Sequence, residues 1–311
     1  MKIVFFGTPE YVMPVLTSLH KKFVTGPGKS PIVAVVTQSP KPTGRKQVLS
    51  YSPVDRWAHD HKIDTYYQAS ELVDNKVVAD IGVLASYGQI IPQNVIDLFP
   101  QGILVIHPSL LPQFRWASPI SAALITNTNP TGITILKMNE KFDKGPIVSQ
   151  VKEDVLPDDT TESLRQRLFE KSAKVMIELF EPYLTGKIKL KPQTDEGASY
   201  ARLVKKEDAL VPTEVLAATL KGEVANTEWL ISFMTNYSLT PNAESVERFI
   251  RAMKPWPVAW TKIIIAEDNE VRIKLLQAHL EDSKLVLDEV QMEGKTPVSW
   301  KQFKEAYKVE I

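Results

Sequence analysis

The stretch Gly102–Pro119, GILVIHPSLLPQFRWASP, decides how the chain is read. Four apolar residues, Ile103 to Ile106, end at His107 and Pro108. A nearly continuous apolar run of this length reads as a parallel-sheet strand covered on both faces by helices. The proline stops the strand's hydrogen-bond ladder. SLLP makes a tight exit, and PQFRWASP is a loop leading into a helix at 119–124. His107 therefore lies at the carboxyl end of a strand, where open α/β sheets bind ligands. The competing reading is a half-buried histidine bonded to backbone.

Working outward, residues 3–6, 32–37 and 81–86 have the same texture as 103–107. Helix candidates at 12–22, 53–61 and 93–99 alternate with them, which gives an open, mostly parallel α/β sheet. Residues 132–138 and 146–151 are a short loop apart and read as a hairpin. Residues 158–184 read as one amphipathic helix, with Asp159 as N-cap and Glu162 in the capping-box position. Near Gly186 the texture changes. Lys187, Lys189, Lys191, Arg202, Lys205 and Lys206 fall in a turn-rich segment, read as an interdomain linker over 187–206. Residues 207–311 form the second domain: a helical insertion at about 211–246, then short strands separated by polar turns, a small β-barrel.

Composition sets limits. The 311 residues favour two domains and suffice for a large core. Lys plus Arg equals Asp plus Glu at 37 each, so any attraction to a polyanion must come from local patches. Residues 251–311 alone carry ten basic and ten acidic residues, so the second domain has no overall basic excess. Cysteine is absent, which excludes disulfides and thiolate metal sites. MKIVFFGTPE enters a strand directly, so no signal peptide is expected. No window of eighteen uninterrupted apolar residues suggests a membrane span.

A histidine acting as base needs a partner to fix its tautomer and stabilise its charged form. Asp143, in NEKFDKGPIVSQ, is the candidate; the competing reading is a solvated turn aspartate. FFGTPEYV follows the first strand but lacks the glycines of a dinucleotide fingerprint and the pattern of a phosphate loop, so no nucleotide cofactor is expected. His59 and His61 are two apart, do not share a helix face and have no third ligand, so no metal is expected. TQSPKPTGRKQVLSYSP, residues 37–53, is a loop with Lys41, Arg45 and Lys46, read either as solvated surface or as a phosphate-engaging arm.

Taken together, FFGTPEYVMPVL, TQSPKPTGR, ASYGQIIP, IHPSLLPQFRWASPI, TGITILKMNEKFDKGPIV, SYARLVKKEDA and FIRAMKPWPVAWT resemble the methionyl-tRNA formyltransferase family, in order and along most of the chain. The HPSLLP and FDKGPIV patterns are shared with other 10-formyltetrahydrofolate enzymes. SYARLVKKEDA and FIRAMKPWPVAWT are similar to segments more specific to the tRNA-directed branch. The resemblance implies a catalytic domain over 1–186 and a C-terminal tRNA-binding domain. It implies formyl transfer from 10-formyltetrahydrofolate to the α-amino group of methionyl-initiator tRNA. His107 matches the proton-transferring histidine and Asp143 the aspartate that orients it. Ser86, Tyr87, Gly88, Ile90, Ile91 and Pro92, with Ser109, Leu110, Leu111 and Pro112, match the folate-binding segments. Lys41, Arg45, Lys46, Lys205 and Lys206 are the expected tRNA contacts. A cytoplasmic monomer without a membrane partner is expected.

Two positions depart from the family pattern. Val105 stands where an asparagine is usual, two residues before His107. Trp116 stands where a glycine follows the arginine. Losing one oxyanion donor costs about 10²–10³ in rate, so reduced activity is expected. The alternatives are a sugar-nucleotide formyltransferase and a non-enzymatic folate- or tRNA-binding relative. Retention of His107 and Asp143 weighs against the last.

Overall fold

The structure is a computed structural model that describes residues 1–311 apart from 25, 27–28, 44–46, 266–268, 308 and 310–311. Arg45 and Lys46 thus lie outside the described residues. The chain forms two compact units, each assembled from separate pieces. The first is Met1–Pro112, Gly132–Glu153 and Arg165–Ala198; the second is Gln113–Thr131, Asp154–Leu164 and Ser199–Ile311.

The first unit is built on strands β1 (Ile3–Gly7), β2 (Ile32–Val36), β5 (Asp64–Tyr66), β6 (Ile81–Ala85), β7 (Ile103–His107), β8 (Thr131–Lys137) and β9 (Ile147–Glu153), with a small side hairpin of β3 (Lys41–Thr43) and β4 (Val48–Ser50). The sheet order is β5-β2-β1-β6-β7-β8-β9. Pairings from β5 to β7 are parallel, and β7 with β8 is antiparallel. β1 and β7 are buried along their whole length, as strands covered on both faces must be. The expected hairpin is present as β8 and β9, close to the limits read from sequence.

The helices are α1 (Met13–Phe23), α2 (Pro53–Asp60), α3 (Glu71–Asp74), α4 (Gln93–Ile96), α5 (Pro119–Ile125), α6 (Thr161–Leu184), α7 (Thr213–Lys221), α8 (Ala243–Ala252) and α9 (Trp300–Tyr307). Ser52 caps α2 by accepting the Asp55 N–H, with Pro53 at the first helical position. The cap of α6 falls one residue later than its sequence suggests. The Thr160 N–H donates to Ser163 Oγ and the Ser163 N–H to Thr160 Oγ1. Serine at the third position thus completes the box that Glu162 was expected to close, and Asp159 instead accepts from the Leu156 N–H and the Ser163 hydroxyl.

The second unit explains why the compact units do not follow the 187–206 boundary. Every residue of α5 is buried, so the helix needs cover on all sides, and α8 of the same unit packs on it. The Asn242–Ser245 capping box starts α8. Residues 187–198 group with the first unit, where Lys191 exchanges backbone hydrogen bonds with Ile147. The 211–246 insertion is only partly helical: α7 is followed by the short antiparallel pair β10 (Trp229–Leu230) and β11 (Ser238–Leu239). The C-terminal β region is a four-stranded antiparallel sheet of β12 (Trp260–Ile265), β13 (Asn269–Glu281), β14 (Lys284–Met292) and β15 (Val298–Ser299), in that order.

Candidate active site

His107 is the last residue of β7 and is buried. Side chains alternate along a strand, so His107 and Val105 project to the same face. The position two before the histidine is thus aimed at the surroundings that the imidazole shares. Val105 is only 7% exposed and joins Leu111, Leu136 and Ile147, with Leu84 and Met138 against them. A side chain of other chemistry here would enter an apolar wall.

The exit from β7 is fixed by two polar residues on β8 and β9. Thr134, opposite His107 in the register, donates its hydroxyl to the Ser109 carbonyl at 2.7 Å and accepts the Leu111 N–H at 3.0 Å. The Gln150 amide donates to the Leu111 carbonyl at 2.8 Å and to Thr134 Oγ1 at 3.0 Å. Backbone groups that leave the sheet here therefore keep partners. Ser109–Leu111 is held against the strand that carries the histidine.

Asp143 arrives from the loop between β8 and β9. Its Oδ1 is 3.8 Å from His107 Nδ1, an ion-pair distance when the ring is protonated and too long for a hydrogen bond. The turn that presents it is braced. Asp143 has φ +52°, and the Gln193 amide donates to the carbonyls of Asp143 at 2.8 Å and Gly145 at 2.7 Å. Lys144 Nζ donates to both Asp195 carboxylate oxygens at 3.0 Å. At Gly145 a Cβ would lie 1.9 Å from the Lys137 carbonyl oxygen, so only glycine allows this approach. The two side chains are thus brought within 3.8 Å of one another. Gln193, Asp195, Thr134 and Gln150 are additions that no local sequence signal revealed.

Ser86–Pro92 leaves β6, the parallel neighbour of β7, so the two exits open at the same edge of the sheet. Ser86 and Gly88 are both left-handed, at φ +52° and +79°. The Gln38 amide donates to the Tyr87 carbonyl at 3.4 Å, and the Tyr87 ring meets Phe6 edge-on at 5.9 Å. Burial pushes the Tyr87 hydroxyl up to about 12, so it stays protonated at neutral pH. Ile91 and Leu111 are buried, Ile90 is exposed, and Pro92 precedes α4. Lys41 is exposed on β3.

In the second unit, Lys205 and Lys206 are exposed beside a clip that the sequence did not reveal. Arg202 Nη1 and Nη2 each donate to one Asp208 oxygen at 2.7 Å, and the Ser232 hydroxyl and the Lys205 N–H bond the same carboxylate. Burial alone would raise the Asp208 carboxyl, but these donors outweigh it and hold it below the usual range. Trp116 is 40% exposed at φ +80°, with its ring 4.7 Å from Tyr200. Among the described residues no group of three or more His, Cys, Asp or Glu could hold a metal, and no helix is long and apolar enough to cross a membrane.

A buried histidine and a braced aspartate at a sheet edge, followed by a C-terminal β unit, define a class. Residues 1–180 match the formyl transferase family and residues 238–284 match the formyl transferase C-terminal domain. The chain belongs to the formyl transferase family. Within it, the chain is 32% identical over 287 residues to the methionyl-tRNA formyltransferase of Buchnera aphidicola subsp. Schizaphis graminum, covering 90% of this chain and 79% of that protein. The solved methionyl-tRNA formyltransferase of Clostridium thermocellum shares the fold at TM-score 0.56 and 15% identity, over 94% of this chain and 98% of that one. A 4-N formyltransferase from Francisella tularensis shares it too, at TM-score 0.60 and 15% identity, over 90% and 99%.

Proposed function

We propose that the protein transfers a formyl group from 10-formyltetrahydrofolate to the α-amino group of methionyl-initiator tRNA. The observation that carries this is the His107–Asp143 pair, brought within 3.8 Å in a chain that matches tRNA-directed relatives along 90% of its length. His107 takes a proton as the amine attacks the formyl carbon, and Asp143 stabilises the imidazolium that results. The new C–N bond forms, the bond from the formyl carbon to N10 breaks, and the proton goes to N10. The donor lies along Ser86–Pro92 and Ser109–Pro112, the exits of adjacent strands.

Lys41, Arg45 and Lys46, with Lys205 and Lys206, supply the phosphate contacts, since a chain of zero net charge must use local patches. Neutralising either group weakens tRNA binding and flattens its salt dependence; an unchanged salt slope rules that group out. We read the enzyme as a cytoplasmic monomer. The test is formyl transfer from 10-formyltetrahydrofolate to charged initiator tRNA, with elongator methionyl-tRNA and an amino-sugar nucleotide as competing acceptors. Transfer to the sugar alone, or to neither, overturns the reading.

A further inference from the structure

We propose that Trp116, supported by Tyr200, is a stacking platform for an unpaired nucleobase of the RNA substrate. The proposal rests on the tRNA reading above and deepens it. Its starting point is a conformation that ordinarily excludes a large side chain. Trp116 has φ +80° and Phe114, two residues earlier, φ +55°. A bulky residue in this region is an outlier, whereas glycine adopts it freely. Such outliers persist where the surroundings over-determine them, and they cluster where ligands are held.

The surroundings do over-determine this one. The Phe114 N–H donates to Ser199 Oγ at 2.9 Å and the Arg115 N–H to the Ser199 carbonyl at 2.9 Å. The Ala201 N–H returns to the Arg115 carbonyl at 2.9 Å, and the Ser118 N–H reaches the Ala201 carbonyl at 3.1 Å. Arg115 is wholly buried; its Nη1 donates to Tyr200 Oη at 3.0 Å, and its guanidinium carbon is 5.7 Å from the Tyr200 ring centre. The Tyr200 ring is tilted 47° to the indole at 4.7 Å. A buried cation, a half-buried phenol and an indole that reaches water therefore form one supported series. A ring anchored from beneath gives up little freedom when a ligand lands on it.

Charge decides what lands there. In Tyr200–Lys206 Arg202 is paired with Asp208, whereas Lys205 and Lys206 are exposed and supply the positive charge. Aromatic faces interleaved with cations suit single-stranded nucleic acid, because every base has a π-face and every link a negative charge. An apolar peptide would use the indole but not the lysines.

The test uses the full chain and compares Trp116→Phe, Trp116→Leu and Trp116→Gly. Leucine keeps apolar bulk without a π-face, and phenylalanine keeps the face. We expect Trp116→Leu and Trp116→Gly to raise the KM for charged initiator tRNA roughly 5- to 150-fold, the span of one base stack. Trp116→Phe stays nearest to wild type, and kcat changes by less than about twofold in all three. Near-ultraviolet circular dichroism confirms that each variant is folded. Quenching of Trp fluorescence by a short single-stranded RNA falls in Trp116→Phe. A wild-type KM in folded Trp116→Leu overturns the platform. So does a loss confined to kcat, which would place the indole at the reacting atoms. A wild type that neither binds nor formylates tRNA overturns the tRNA reading and the platform with it. An active wild type with unaffected variants overturns the platform alone.

Discussion

Val105 and Trp116 are the two positions read from sequence as departures from the family pattern, and their settings are opposite. Val105 lies mid-strand in β7, paired with Leu84 on one side and Leu136 on the other, in relaxed backbone and apolar contact. Trp116 lies in a left-handed turn, reaches water, and is kept there by bonds that its neighbours make. A strand interior absorbs a new side chain through packing, so the change is silent in the backbone. A turn absorbs one against its backbone preference, so the change leaves a conformational mark. The two positions are therefore expected to respond oppositely to substitution: asparagine disturbs packing at 105, and glycine relieves the backbone at 116.

The largest effect belongs to the residue that shares a face with Val105. His107→Ala lowers formyl transfer by about 10²–10⁴-fold in a folded protein, the usual worth of a positioned proton-transfer group. Asp143→Asn is also severe, because an amide cannot stabilise the imidazolium by charge. Unchanged turnover in His107→Ala would mean that the valine wall surrounds an idle histidine.

Val105→Asn tests the packing side of the comparison. Its rate gain is bounded by one oxyanion donor, about 10²–10³-fold. The amide enters the Leu111, Leu136 and Ile147 cluster, and a group left unpaired there destabilises by about 1–3 kcal/mol. Faster turnover with a lower melting temperature is the expected result. Slower turnover with unaltered melting would contradict both halves.

Gln193→Ala removes two bonds from the Asp143 turn and should lower kcat about tenfold, on the order of two net hydrogen bonds. A positioning role also moves the pH–rate profile, because a looser Asp143 stabilises the imidazolium less. A purely structural role would lower melting temperature and leave that profile alone.

Asp208 extends the comparison to acid. Its folded pKa lies below the unfolded value of about 3.9, so its stabilisation is complete above that value. The contribution is lost as pH falls through the lower folded value. Arg202 is partly exposed, so the clip contributes about 1 kcal/mol after solvent screening. Melting measured from pH 6 down to pH 2 should fall more steeply in wild type than in Asp208→Asn. Parallel curves would remove the clip from the account. Smallest is the stability change in Trp116→Gly, where relief of left-handed strain offsets a lost aromatic pair worth about 0.5–1.5 kcal/mol. Melting should move by only a few degrees.

Local pattern made much of this legible. β7, its terminal histidine and the alternation around it follow from hydrophobic runs and one proline. Asp143 is a candidate partner from its place in the loop between two strands, with a solvated turn as the competing reading, and the resemblance favours the pairing. Gln193, Thr134 and Gln150 were invisible, because each takes its role from a partner on another element. The grouping of 113–131 with the second unit was not legible for a related reason: α5, buried along its whole length, reads alike whether a sheet or another helix covers it. Trp116 could be seen as unusual, but not as left-handed.

The threading of the second unit through the first half of the chain sets a schedule for synthesis. α5 is made early, while its cover α8 follows about 120 residues later, roughly 6–24 s at ~5–20 residues per second. During that interval a mostly apolar helix is available to other surfaces on the growing chain. For the same reason, a cut at Ala198 would not release a self-sufficient catalytic fragment. It would leave α5 and the start of α6 without the helix that holds them, their Thr161 and Asp159 bonds to α8 unmade. Exchange of the C-terminal region between relatives must therefore carry 113–131 and 154–164 along with it.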